Sequence, residues 1–63
     1  MITKILDSVD GVELVWFLNE MHNSIFHATL LNEKSPNNDE LVKVVFHKSL
    51  KSEANEILKE CGY

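Results

Sequence analysis

The sequence predicts an α+β domain: a small antiparallel sheet of three to four strands, arranged as a meander, with one C-terminal helix packed on one face. Three observations carry that expectation. Ile2–Asp7 is short, apolar and β-prone, and Val12–Asn19, Ser24–Leu31 and Leu41–His47 divide into two strand faces at a period of two. From Ser49 onward the period becomes helical. Clusters of turn-forming residues separate the segments. The alternative is a helical hairpin, in which Asp10-Gly11-Val12-Glu13 is a capping box and Asp39 caps a second helix running to Cys61. The β-branched and aromatic runs Val12–Phe17 and Val42–Phe46 favour the sheet.

Ile2–Asp7 is short and β-prone, and Lys4 in its middle suits an edge strand, where a charge discourages pairing with another chain. Asp10-Gly11 between apolar runs is a hairpin cue. The chain then centres on a hairpin over residues 12–31, with a polar turn at Asn19–Ser24. Its first strand sets Val12, Leu14, Trp16 and Leu18 on one face; its second sets Phe26, Ala28 and Leu30 there. The fourth strand, Leu41–His47, adds Val42, Val44 and Phe46. Pairing like with like aligns Trp16, Phe26 and Phe46 across one face.

Asn32–Glu40 is polar throughout, holds the only proline and reads as an exposed loop. In the C-terminal segment Leu50, Ala54, Ile57, Leu58 and Cys61 form an apolar stripe, opposite Lys51, Glu53, Glu56, Lys59 and Glu60. Ser49 or Ser52 can cap its start, and Gly62 suits its end. So short a helix is marginal alone in water, so the stripe is expected to dock on the face of Trp16 and Phe26.

Composition narrows the function classes. The 63 residues make a single domain, 1–63, near the lower limit for independent folding. The only cysteine is Cys61, which rules out a disulfide within the chain and fits a reducing, cytoplasmic compartment. No secretory signal is legible at the N-terminus, and the longest apolar run, Leu14–Leu18, has five residues against the roughly 20 that span a bilayer, so no membrane partner is expected. The net charge is −4 and all six basic residues are lysines. A negative surface without arginine argues against direct nucleic-acid binding.

No constellation demands catalysis, a metal or a cofactor. His22, His27, His47 and Cys61 lack the paired short spacing of zinc ligands. His27 with His47 is the best two-histidine case, on adjacent strands. Cys61 with a histidine is the nominal nucleophile pair, and Gly11 and Gly62 are too far apart for a phosphate loop. The expectation is therefore a non-enzyme with neither cofactor nor metal.

What the predicted sheet leaves over is an outward face that does not alternate cleanly. Val15, Phe17, Ile25, His27, Leu31, Val45 and His47 are the predicted partner-binding residues on that face, with Phe17 flanked by Val15 and Val45 as its apolar centre. They imply a small acidic protein–protein interaction module, acting as a regulator or inhibitor of the kind phages and mobile elements encode. It docks an apolar sheet face or an edge strand on another protein or on a second copy of itself. A structural homodimer, or a regulator associated with nucleic acid through another protein, is the alternative.

Overall fold

The computed structural model describes residues 1–63, in the order β1 (Ile2–Ser8), α1 (Gly11–Met21), β2 (Phe26–Lys34), β3 (Glu40–Phe46), a 3-10 turn (Lys48–Leu50) and α2 (Lys51–Glu60). The chain is α+β, with three antiparallel strands in one sheet and a C-terminal helix against it. The strand order is β1-β3-β2, so a meander describes only the β2–β3 hairpin. Because β1 and β2 both run antiparallel to β3, they are parallel to each other, and α1 carries the chain from one sheet edge to the other. This is a split β-α-β unit followed by a strand and a helix.

The segment expected as the second strand, Val12–Asn19, is the body of α1, and the hairpin over 12–31 does not form. Every position from Leu14 to Leu18 is apolar, so the run carries no unique period. The start signal decides instead. Asp10 is the N-cap, and its Oδ1 accepts a hydrogen bond from the Glu13 amide at 3.1 Å. Leu14 and Leu18, four residues apart, are then buried on one face of the helix.

Gly11, expected in a hairpin turn, is the first helical residue, and its role is close approach. A Cβ there would lie 2.6 Å from Leu30 Cδ1 and 2.9 Å from Glu40 Cβ. Glu40 Oε1 also accepts from the Gly11 amide at 2.8 Å, placing a carboxylate at the positive end of the helix.

The Phe26–Phe46 pairing expected from the alternation is present, with ring centroids 5.9 Å apart at 84°. Trp16 does not join that row. The ring next to Phe26 is His22, at 6.4 Å, itself edge-on to Phe17 at 5.1 Å. β2 runs to Lys34 with an irregularity between Leu30 and Lys34, so the expected loop narrows to a turn at Ser35–Asp39. Ser35 closes that turn: its amide donates to the Asp39 carbonyl at 2.8 Å and its Oγ accepts from the Asp39 amide at 3.1 Å.

One core joins all the elements. Leu14 and Leu18 of α1 and Ala54 and Leu58 of α2 pack with Phe26, Ala28, Val42, Val44 and Phe46 of the sheet. Both helices therefore cover the same sheet face. Burying Phe46, Leu18, Val42 and Val44 fully contributes about 1.5–3 kcal/mol each. Lys4 lies in register with Val44 on that face, where its Nζ donates to Asn55 Oδ1 of α2 at 2.9 Å.

The cap of the C-terminal segment is His47 rather than a serine, with Nδ1 accepting from the Ser49 amide at 3.1 Å. Gly62 ends the helix as expected, at φ +93°. Its amide donates to Lys59 O at 3.0 Å, and the Tyr63 amide donates to Leu58 O at 2.8 Å. These two bonds are a Schellman motif, which folds Tyr63 back on the helix.

Candidate functional site

The two edges of the sheet are treated differently. At the β2 edge, Asn19 of α1 presents its side-chain amide to the backbone of Ala28. Its Nδ2 donates to the Ala28 carbonyl at 2.9 Å, and its Oδ1 accepts from the Ala28 amide at 2.8 Å. The side chain thus stands where a neighbouring strand would pair and covers that edge at Ala28, while further along β2 the ladder with β3 becomes irregular between Leu30 and Lys34.

The β1 edge has no such cover. In an antiparallel ladder the N–H and C=O of one residue point the same way, and successive residues alternate. Ala28 points both groups away from β3, so its partner Val44 points both towards β1 and bonds Lys4. Thr3, Ile5 and Asp7 must then point their amides and carbonyls outward, and no strand or side chain meets them. Ile5, at the centre of this edge, is 52% exposed.

The sheet face away from the helices is also uncovered. Across it run Thr3, Val45 and His27 in one row and Ile5, Lys43 and Thr29 in the next, with Leu41 beside Asp7. Val45 and Leu41 are half-buried and the polar residues are exposed, so apolar side chains continue inward from the open edge.

The residues predicted to bind a partner do not share one surface. His27 and Val45 are paired on the open face, and Leu31 sits at the irregular part of β2. Val15 and Phe17 are on α1, and Ile25 precedes β2; all three pack against the core on the helix side. The apolar centre of Phe17 flanked by Val15 and Val45 therefore does not exist, because α1 replaces the strand that was to carry it. His47 lies beyond β3, with Nδ1 2.8 Å from Ser49 Oγ. Ile5, exposed at the centre of the open edge, lies outside that predicted set.

On the helix side, an open groove of about 310 Å³, at the lower end of the ligand-site range, lies between α1 and the end of α2. Leu14, Trp16, Phe17 and Tyr63 give it apolar walls, and Ser8, Asp10 and Glu13 stand on its polar side. Cys61 lines it too. Burial pushes the Cys61 thiol pKa up, and the neighbouring Glu60 carboxylate adds to the shift, so both disfavour the thiolate.

No three of the His, Cys, Asp and Glu side chains converge on a point where they would hold a metal ion. No helix is long and apolar enough to cross a membrane. The chain matches no protein-family model, no curated protein and no solved structure.

Proposed function

We propose that this chain is a non-catalytic protein–protein interaction module that takes an extended segment of a partner protein as a fourth strand on β1. The observation that carries the reading is the contrast between the edges: β2 is covered by Asn19 at Ala28 and irregular beyond Leu30, while β1 is regular from Ile2 to Ser8 and its Thr3, Ile5 and Asp7 are ready to pair. A strand added there completes a β-α-β-β-α-β pattern and extends the apolar surface of Ile5, Val45 and Leu41 on the open face. Main-chain bonds supply affinity in this mode, and the exposed Ile5 supplies selectivity. The net charge of −4 favours a partner with a basic surface around its docking segment. Such a module acts as a regulator or inhibitor by occupying its partner's strand.

Ile5→Pro tests this directly. Proline at Ile5 removes an outward amide that β3 does not use, so the three-stranded sheet survives while strand addition loses its central donor. The expected result is a partner captured by the wild-type chain, with the Thr3, Ile5 and Asp7 amides protected from hydrogen exchange in the complex, and lost with Ile5→Pro. Capture that persists with Ile5→Pro at wild-type affinity overturns the reading. Light scattering of the purified chain identifies the case in which the added strand comes from a second copy.

A further inference from the structure

We infer that the groove between α1 and the C-terminal end of α2 is a binding site for a lysine side chain of a partner protein. Three independent features meet there. The first is an aromatic wall, two of whose rings lie outside the core. Trp16 is 57% exposed and Tyr63 46% exposed, yet both line one groove of about 310 Å³ with the half-buried Phe17. The Schellman bonds at Gly62 turn the backbone of Tyr63 back on the helix beside this groove.

The second feature is charge. Asp10 and Glu13 are the ionisable carboxylates lining the groove, and no lysine or histidine lines it. Asp10 uses Oδ1 on the Glu13 amide at 3.1 Å, and the Glu13 carboxylate makes no hydrogen bond within the chain.

The third is Ser8. It is 7% exposed, and its hydroxyl donates to nothing in the chain. It is nevertheless not sealed off as an unsatisfied buried atom, so the hydroxyl opens onto the groove that Ser8 lines. Ser8 is therefore a largely buried side chain whose hydroxyl, unbonded within the chain, is free to pair with whatever fills the groove.

These features fit one chemistry. A lysine ammonium carries three donors and no acceptor, which Ser8, Asp10 and Glu13 match with three oxygen-bearing side chains. Its four-carbon stem lies along apolar and aromatic walls while the charge sits near ring faces. An anion is opposed by both carboxylates, and a neutral apolar group leaves Ser8 unpaired. The site is on the helix side and uses none of the atoms of the open β1 edge, so it stands independently of strand addition.

Trp16 is the only tryptophan, so its fluorescence reports the groove without a label. The intact chain is titrated at constant ionic strength with N-acetyl-lysine amide and with N-acetyl-norleucine amide, a neutral analogue of similar length. The lysine probe is expected to give a saturable change, with affinity about tenfold above the neutral probe. Asp10→Asn, which keeps a capping oxygen, and Glu13→Gln should each bring the lysine probe towards the neutral one. Should Asp10→Asn loosen α1, Glu13→Gln alone carries the comparison, because that carboxylate bonds nothing in the chain. Ile5→Pro should leave the titration unchanged, so this site and the β1 edge fail separately. Equal responses to the two probes, a linear response without saturation, or a lysine response indifferent to Glu13→Gln overturns the assignment.

Discussion

Asn19 and Ala28 exchange two hydrogen bonds, 2.9 and 2.8 Å long, in which a side-chain amide on α1 occupies the place of a neighbouring strand on β2. One polar residue therefore does two things. It ties the crossover helix to the sheet, and it leaves β1 as the edge available for pairing.

Removing that amide should be costly and should change association. Asn19→Ala leaves a part-buried amide and carbonyl without partners, a loss of about 1–3 kcal/mol. Asn19→Asp retains an acceptor for the Ala28 amide but sets a carboxylate against its carbonyl, and should be as harmful. Urea unfolding reads the first effect. Light scattering should show both variants self-associating at concentrations where the wild type does not, because the β2 edge is then open too.

Gly11→Ala should destabilise the fold although it improves helix propensity. The added methyl meets Leu30 Cδ1 at 2.6 Å and Glu40 Cβ at 2.9 Å, and the second contact cannot be relieved by a simple rotamer change. Overpacking of about 1–3 kcal/mol outweighs the gain of about 1 kcal/mol from replacing a helical glycine. A wild-type or higher melting temperature would mean that α1 shifts freely against β2 and β3.

A proline pair checks the alternation along β1. Ile5→Pro should melt within a few degrees of wild type, since its amide faces solvent. Lys4→Pro removes a ladder bond to the buried Val44 and should cost about 1–3 kcal/mol. Reversal of that order in thermal melts places the outward amides on the even-numbered residues.

Cys61 should be a slow thiol. Burial first, and the Glu60 charge second, raise its pKa in the folded chain. The folded state therefore holds this proton more tightly than the unfolded state. The resulting stabilisation is complete below the unfolded thiol pKa and fades as pH rises through the folded one. Iodoacetamide alkylation should be slower than in the urea-unfolded chain at each pH, with its rate rise displaced to higher pH. Faster alkylation of the folded chain contradicts the shift.

The β2–β3 hairpin and α2 were readable because each carries one clear period. Phe26, Ala28 and Val42, Val44, Phe46 alternate, and Ala54 and Leu58 recur at helical spacing, so burial on one face has one solution. The turn around Pro36 and the stop at Gly62 were legible for the same local reason. The Val12–Phe17 run was not, because apolar residues at nearly every position satisfy a strand and a helix alike. There the Asp10 cap, which also reads as half of a hairpin turn, outweighed β-propensity.

The predicted partner-binding set inherited that ambiguity. Moving Val15 and Phe17 from a strand to α1 turned them towards the core and left His27 and Val45 on a different surface. Ile5 became the central exposed residue of the edge only once β3 had inserted between β1 and β2.

The sequence by itself determined the class, the hairpin register at Phe26 and Phe46, the C-terminal helix and its glycine stop, since these follow from side-chain period and backbone allowance within a few residues. Only the tertiary structure decided which edge is open and where a groove forms. Those depend on contacts between residues distant in the chain: Asn19 with Ala28, Gly11 with Glu40, and Trp16 with Tyr63 across one groove. No local pattern encodes such pairings, because each exists only after the crossover helix has set β1 and β2 on opposite sides of β3.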